Sequence, residues 1–267
     1  MSPVESAIWR FRRDLTIGAM VRGVLVTGAL VCILFTPSTG SGFNGALTLT
    51  VIGAIWLTLA YRSMKDSRLT AESPYLIATG RFDEAETRID AALKSFSIFK
   101  PTKLVSLHHL AMLRHAQKRW QESALLCGAL LTQRTKSLGG LSKPTMLLLV
   151  DNLLHVGDLN AAYAALGRLH RLRLNLAETM ALEQLQLEYL ARVQAFEPML
   201  SQVKTKVQMA ELMPAGQAAR TQAYLALAAK KSGRNELSQW LKGRAELLVD
   251  PPTLVAERPI LAELWPS

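Results

Sequence analysis

The sequence predicts an all-α protein, in which an N-terminal transmembrane helical hairpin is followed by an α-solenoid of about five helix pairs. Two observations carry this prediction. Two apolar stretches of about 20 residues lie within the first 62 residues, and a turn pattern recurs every 38 or 39 residues after them. Composition agrees, because Ala and Leu dominate the chain and 49% of its 267 residues are hydrophobic.

Two transmembrane helices are predicted at residues 15–36 and 43–61. The first stretch is apolar except for Arg22, and the second carries no charged residue. At ~1.5 Å per residue, each is long enough to cross a hydrocarbon core of ~30 Å. The short uncharged turn PSTGSG between them forces the two helices to run antiparallel. Residues 1–14 are expected to form a basic tail ahead of the first span.

Basic residues flank both spans and are missing from the turn between them. They are Arg10, Arg12 and Arg13 before the first span, and Arg62, Lys65 and Arg68 after the second. The positive-inside rule then places both termini and the rest of the chain in the cytoplasm, which predicts a two-span protein of the inner or cell membrane. A cleaved signal peptide is the alternative, but the first apolar stretch is too long and no A-x-A-like site follows it.

Small residues recur every four positions along both spans. They are Ala19, Gly23 and Thr27 in the first span and Ala46, Thr50, Ala54 and Thr58 in the second. Such stripes let helix backbones approach closely within lipid. Packing of the two spans against each other is the first interpretation, and homo-oligomerisation through the same stripe is the alternative.

A turn pattern recurs five times within residues 66–250, the predicted repeat domain. The units are Gly80-Arg-Phe82, Lys118-Arg-Trp120, Gly157-Asp-Leu159, Ala195-Phe-Glu197 and Gly233-Arg-Asn235, and their third positions are 38, 39, 38 and 38 residues apart. A fixed period in this range indicates helix pairs that stack, because a single pair cannot bury its apolar face alone.

These units resemble tetratricopeptide repeats. The resemblance rests on a small residue in the first helix, Gly and an aromatic residue at the turn, and Ala in the second helix. At those places stand Gly80, Phe82 and Ala85 in the first unit, Ala111 and Trp120 in the second, and Gly157 and Ala162 in the third. The period is longer than the 34 residues usual for the family. The fourth and fifth units match it by spacing only.

The resemblance implies a concave groove that is lined by the first helices and binds a segment of another protein. In that register the lining residues are His108, Met112 and His115 in unit two, Asp151 and His155 in unit three, Tyr189 and Arg192 in unit four, and Leu227, Lys230 and Lys231 in unit five. Such a groove would suit a segment with apolar anchors and acidic residues, because its far end is basic. Solvated helix faces without any ligand are the alternative interpretation.

No catalytic motif is found in the sequence: it has no H-E-x-x-H, C-x-x-C, G-x-S-x-G or P-loop pattern. The histidines have no acidic or thiolate partner at a metal-ligand spacing, so neither a metal nor another cofactor is predicted, and no enzymatic activity is expected. Binding to nucleic acid is not expected either, because no aromatic platform or recognition helix accompanies Arg168, Arg171 and Arg173. The net charge of +10 instead favours a surface beside anionic lipid.

Residues 251–267 begin with two prolines and end with apolar residues around Trp265. They are expected to cap the last repeat. Filling the groove of the same or a neighbouring molecule, or disorder, are the alternatives.

The whole layout predicts a membrane-anchored scaffold or adaptor that binds other, membrane-associated proteins and helps to assemble or tether a membrane complex. The alternative is a structural accessory subunit, stably incorporated in a larger membrane complex.

Overall fold

The structure is a computed structural model that describes residues 3–35, 42–95, 97, 99–133 and 139–265. All regular secondary structure in these ranges is helical, which confirms the predicted all-α class. The chain divides into two compact units, Met1–Leu148 and Leu149–Ser267, which are described separately below as the N-terminal and C-terminal units.

The two longest helices come first, α1 (Pro3–Phe35) and α2 (Gly42–Ala71). They are followed by α3 (Ser73–Ala78), α4 (Phe82–Lys94), α5 (Lys100–Ala116), α6 (Trp120–Leu131), α7 (Ser142–Val156), α8 (Leu159–Leu169), α9 (Leu176–Arg192), α10 (Phe196–Leu200), α11 (Val203–Glu211), α12 (Ala215–Lys231), α13 (Asn235–Glu246) and α14 (Pro251–Glu257). Short 3-10 helices lie before α7, at Gly139–Leu141, and after α14, at Pro259–Leu264.

Five helix pairs, α3/α4, α5/α6, α7/α8, α9/α10 and α12/α13, are joined by turns of the same backbone geometry. One residue of each turn has a positive φ, and these residues are Gly80, Lys118, Gly157, Gln194 and Gly233. The next amide donates to the carbonyl oxygen five residues earlier, as from Arg81 to Leu76 at 2.9 Å and from Arg234 to Ala229 at 2.8 Å. This bond belongs to the Schellman motif, which ends a helix at a left-handed residue. Its recurrence explains the period of the sequence.

The second helices of the pairs begin at Phe82, Trp120, Leu159, Phe196 and Asn235, at spacings of 38, 39, 37 and 39 residues. The spacing predicts the third position of the fourth unit at Glu197, which is one residue after the observed start of the helix. Gln194 takes the left-handed conformation that glycine takes in three of the other turns, so the sequence lacks the usual marker there. The equivalent residue is Phe196, and the fourth unit therefore has an aromatic residue at its turn.

Small residues predicted to pack inside the pairs are fully buried. Ala85, Ala111 and Ala162 each have 0% of their surface exposed. In the second pair, Ser123 Oγ donates to the carbonyl oxygen of Ala111 at 2.8 Å, and Ser238 makes the equivalent bond in the fifth pair. These bonds join the two helices of a pair where no side chain separates them. The stacking of all five pairs as a tetratricopeptide solenoid stays a prediction.

The aromatic residues Phe82 and Trp120 lie half-buried at the start of α4 and α6. The Trp120 ring meets the His115 ring edge-on, with 4.8 Å between the ring centroids. An aromatic ring at this place fills the space beside the turn and joins the end of the first helix to the beginning of the second.

Helices α1 and α2 are each long and apolar enough to cross a membrane, as predicted. Large apolar side chains project outward along both of them, with Met20 64%, Val24 71% and Leu57 69% exposed. A contiguous apolar surface of this kind is unfavourable in water and compatible with lipid. The orientation of the spans relative to the two sides of a membrane stays a prediction.

The small-residue stripes do not join the two spans. The stripe residues Ala19, Gly23 and Thr27 of α1 and Thr50, Ala54 and Thr58 of α2 are exposed, whereas the side chain of Ala46 is not described. The helices approach each other at Gly28 instead, where an added Cβ would lie 3.7 Å from Ile52 Cδ1. The first interpretation of the stripes is therefore wrong, and homo-oligomerisation through them stays a prediction.

The first turns of α1 are part of the N-terminal unit and do not form a separate tail. Over the described residues 3–14 the chain is helical, and Val4, Ala7, Phe11 and Asp14 are at most 8% exposed. These positions recur at helical spacing, so they form one stripe that packs against α4, α5 and α6. The segment predicted to be a basic tail thus connects the first span to the helix pairs.

A buried ion pair joins α1 to α5. Lys103 Nζ lies 2.9 Å from Asp14 Oδ2, and both side chains are 1% exposed. The same ammonium group donates to the carbonyl oxygens of Ala92 at 3.0 Å and Leu93 at 2.9 Å, and to that of Ser95. Lys103 therefore neutralises a buried carboxylate and satisfies the carbonyl groups at the end of α4.

Replacing Lys103 by Met should destabilise the full-length protein by about 3 kcal/mol, because the buried carboxylate of Asp14 keeps only its contact with Arg13 and the carbonyl oxygens of Ala92 and Leu93 lose their donor. Urea unfolding in mild detergent measures this loss. Lys94→Met is the matched control, since Lys94 pairs with Asp90 at the surface and should cost less than about 1 kcal/mol. Equal losses for the two variants would contradict the assignment.

Alanine substitutions at Gly157 and Gly167 should change the free energy of unfolding in opposite directions. An added Cβ would meet nothing within 4 Å at either residue, but Gly157 has a φ of +84° and Gly167 lies inside α8. Gly157→Ala should destabilise by about 1 kcal/mol, because an L-residue enters the left-handed region. Gly167→Ala should stabilise by about 0.5–1 kcal/mol through helix propensity. Chemical denaturation measures the free energy of unfolding of both variants. Changes in the same direction would show that the turn geometry is misassigned.

Candidate functional site

The residues predicted to line a groove fall into two groups in the structure. His108, Met112 and His115 lie on α5 in the N-terminal unit. The others lie on α7, α9 and α12 in the C-terminal unit: Asp151, His155, Tyr189, Arg192, Leu227, Lys230 and Lys231. Each group is considered within its own unit.

In the N-terminal unit, the predicted residues belong mainly to the packing of helices. His108 is 7% exposed, and its Nδ1 lies 3.0 Å from Thr145 Oγ1. Burial, with a further contribution from His109, lowers the pKa of His108 to about 4, so this imidazole is neutral at pH 7. Met112 and His115 are half-buried. These three side chains therefore offer little surface to a partner.

No metal centre is built from the side chains that the structure describes. Within those residues, no group of three or more His, Cys, Asp or Glu side chains could hold a metal ion. Cys127 is buried on α6, and burial raises the pKa of its thiol to about 12. A thiol with such a pKa is protonated at neutral pH and is a poor nucleophile.

In the C-terminal unit, the first helices of three pairs form a common surface, called here the first-helix face. It consists of α7 from Leu149 onward, α9 and α12. Residues Pro251–Trp265, called here the C-terminal segment, lie on it as α14 followed by a 3-10 helix. The segment contacts α7 and α9 through Arg258, and contacts α12 through the apolar cluster described below. The predicted groove residues Asp151, His155 and Leu227 are thus contacted by another part of the same chain.

Arg258 is at the centre of this contact. Its Nη2 donates to Asp151 Oδ1 at 2.6 Å, and its Nη1 donates to Glu188 Oε1 at 3.0 Å and to His155 Nε2 at 2.7 Å. The Arg258 side chain is 6% exposed and that of Glu188 is 2% exposed. Because a guanidinium group only donates, His155 accepts through Nε2 and carries its proton on Nδ1.

The charges around Arg258 are balanced. Glu188 Oε1 also accepts from Arg192 Nη2 at 2.7 Å, so two guanidinium groups meet two carboxylates. Burial by itself would lower the pKa of Arg258, but the charges of Asp151 and Glu188 outweigh burial and raise this pKa. Burial and the neighbouring Glu188 also raise the pKa of Tyr224 well above its ordinary value. The arginine is therefore charged and the tyrosine neutral at physiological pH.

Three leucines anchor the C-terminal segment to the first-helix face. Leu254, Leu261 and Leu264 are 1%, 0% and 3% exposed, and they join an apolar cluster that contains Leu227 and Tyr224 of α12. Leu227 is itself 1% exposed. It was predicted to line the groove, and it instead belongs to the buried cluster that the segment helps to form.

Polar contacts hold the far end of the C-terminal segment. Lys230 Nζ donates to the carbonyl oxygen of Glu263 at 2.6 Å, and Lys231 forms an ion pair with the Glu263 carboxylate. Trp265 Nε1 donates to Glu246 Oε1 at 2.6 Å. The two lysines remain exposed at the edge of the face. The predicted basic end of the groove thus contacts an acidic residue of the chain itself.

Tyr189 meets a different set of side chains. Its ring stacks on the ring of Tyr163 on α8, with 5.8 Å between the centroids. The two tyrosines line a cavity of about 500 Å³ together with Arg168, His170 and Arg171. Part of the basic stretch noted in the sequence therefore lies at this cavity between α8 and α9.

The contact depends on Arg258 and Glu188, and neither of them is among the residues predicted from the sequence. A signal for Glu188 was present, because it lies three positions after Leu185 and three before Ala191, which are both buried. An acidic residue on the apolar stripe of a helix requires a buried cationic partner. No comparable pattern identified Arg258 as that partner.

No protein-family model, curated protein or solved structure matches this chain. The likeness to tetratricopeptide repeats therefore stays a prediction that rests on the residue spacing. The functional interpretation rests on the geometry of the first-helix face and on the two apolar helices.

The lowered pKa of His108 makes the stability of the protein depend on pH. Because this pKa falls from 6.5 to about 4 on folding, the unfolded state binds more protons between these values. The free energy of unfolding is therefore not reduced by His108 above pH 6.5, and it declines by roughly 3 kcal/mol as the pH falls toward 4. His108→Gln should weaken this dependence, whereas His170→Gln, at an exposed histidine, should leave it intact. Unfolding free energies at several pH values test this, and an unchanged slope in His108→Gln would contradict it.

Proposed function

We propose that the protein is a membrane-anchored scaffold or adaptor that holds membrane-associated partner proteins and helps to assemble or tether a membrane complex. The observation that carries this proposal is the C-terminal segment bound on the first-helix face. That segment is held as a peptide ligand is held, by apolar anchors and by a central arginine with two carboxylate partners. A face that binds such a segment from its own chain has the chemistry to bind one from another protein.

Helices α1 and α2 provide the anchor in this proposal. The N-terminal turns of α1 pack against α4, α5 and α6, and the Lys103–Asp14 ion pair strengthens that attachment. The first span is thereby joined directly to the helix pairs of the N-terminal unit. The basic residues around both spans support an orientation in which both termini and the helix pairs lie in the cytoplasm, with the protein in an inner or cell membrane.

The alternative is a structural accessory subunit of a larger membrane complex. The closed first-helix face favours this alternative, because Arg258 already occupies Asp151 Oδ1, Glu188 Oε1 and His155 Nε2. In that case the spans and the exposed surfaces of the helix pairs would make the permanent contacts. Neither proposal includes catalysis or a cofactor.

Photo-crosslinking of the full-length protein in its native membrane tests the adaptor function. A photoreactive amino acid replaces Lys231, at the edge of the first-helix face, or Trp240, an exposed residue of α13 that serves as the control. We expect the Lys231 position to crosslink a defined set of membrane proteins that the Trp240 position does not.

A salt wash of the purified complex then separates the two proposals. Partners that dissociate at high salt indicate an adaptor, since ion pairs at the edge of the face are screened. Stoichiometric partners that resist the wash indicate an accessory subunit. The absence of any membrane protein among the crosslinked species at Lys231 would overturn the adaptor function.

A further inference from the structure

The C-terminal segment is connected to the remainder of its unit in a way that permits its release. Residues 247–250, between α13 and α14, contain no helical residue, and Leu247 is 87% exposed. The ion pairs at the edges of the segment lie at the surface. Lys231 and Glu263 are 42% and 52% exposed, and Arg220 and Glu257 are 23% and 52% exposed. Ion pairs with this exposure contribute little to binding, so they oppose release of the segment only weakly, and its attachment depends on the buried leucines and Arg258.

The centre of the contact is selective for arginine. A segment that served only as a cap could cover the face with apolar side chains, and burying a guanidinium group instead adds little stability, because desolvation offsets most of the attraction. The arrangement penalises a side chain without a positive charge at this place. A segment without a cation there would take the Arg258 ion pair away from Asp151 and would leave the buried carboxylate of Glu188 paired with Arg192 alone.

We propose that the first-helix face recognises a segment of a partner protein with the same chemistry as the C-terminal segment, which occupies the face until the partner displaces it. This proposal rests on the adaptor function. The recognised pattern is Leu-x3-Arg-x2-Leu-x-Glu-Leu, as in residues 254–264. The partner's arginine binds Asp151, His155 and Glu188, its leucines enter the apolar cluster, and its glutamate meets the lysines at the end of α12.

The two segments cannot occupy the face together. Arg258 uses Asp151 Oδ1, Glu188 Oε1 and His155 Nε2, and Arg192 already shares the Glu188 carboxylate. An incoming arginine needs the same acceptors, and incoming leucines need the space that Leu261 and Leu264 fill. Binding of a partner therefore requires release of the C-terminal segment, which makes this segment a competitive internal inhibitor.

Hydrogen exchange of the full-length protein in mild detergent tests the displacement. The probe is a synthetic peptide of residues 251–265 with isotope-labelled leucines, so that mass spectrometry separates it from the same residues of the chain. With the peptide in excess, the chain's own amides at 254–265 should lose protection, whereas those of α12 should keep it. The same peptide with Arg258→Leu should have no effect.

A second measurement weakens the internal competitor directly. In the full-length protein, Glu263→Lys places a positive charge beside Lys230 and Lys231 without altering the Arg258 contacts. A fluorescent peptide of residues 251–265 should bind this variant about tenfold more tightly than the wild-type protein, because a larger fraction of its faces is open. Glu236→Lys, at an exposed residue of α13, makes the same change in net charge and should leave the affinity unchanged.

Unchanged exchange at residues 254–265 in saturating peptide would overturn the proposal and make the segment a permanent cap. Equal displacement by the peptide with Arg258→Leu would overturn the selectivity for arginine. These failures differ from failure of the adaptor function. Membrane partners crosslinked at Lys231 without any displacement by the peptide would sustain the adaptor function alone, and displacement without crosslinked partners would sustain the internal competition alone.

Discussion

The architecture depends on one backbone constraint, the left-handed residue through which the chain leaves the first helix of each pair. The hydrogen bond that follows it, from the next amide to the carbonyl oxygen five residues earlier, fixes where the second helix begins. Lys118 and Gln194 adopt this conformation without being glycine, at a cost of about 1–2 kcal/mol each. Close packing inside the pairs offsets that cost, as at Ala111, which is fully buried. Because the turn recurs, the apolar stripes of successive helices recur with it.

Two buried ionic contacts perform different tasks on this framework. Lys103 joins Asp14 of α1 to the end of α4, and it thereby attaches the first long apolar helix to the helix pairs. Arg258 joins the C-terminal segment to carboxylates on two first helices. Buried ion pairs add little net stability, but they strongly disfavour a wrong partner. Lys103 thus favours one attachment of α1, and in the proposed function Arg258 determines which segments can occupy the first-helix face.

The proposed function depends on both contacts, because one holds α1 to the helix pairs and the other holds the C-terminal segment on the first-helix face. In the proposed function, α1 and α2 would restrict the protein to the membrane, where the effective concentration of membrane-bound partners is high, so that even a modest affinity for a segment would hold them. The proposed internal competitor is compatible with such a role, because it would prevent binding to weak or incorrect segments. Selectivity then comes from the buried arginine site, and the apolar cluster supplies most of the affinity.

The helical class, the two apolar helices and the approximate places of the five turns could be predicted without the structure, because they depend on local periodicity and on residues near each other in the chain. The place of the fourth turn required the backbone, since a glutamine can take a glycine conformation only where surrounding contacts impose it. Small residues such as Ala85 and Ala162 were predictable because a close helix pair has room for little else. The predicted groove residues lie on the first helices as expected, but their exposure was decided by tertiary structure. A helical pattern shows which face is apolar and does not show what covers it. Arg258 is 107 residues from Asp151 and 70 residues from Glu188, so only the folded chain determines that these charges meet.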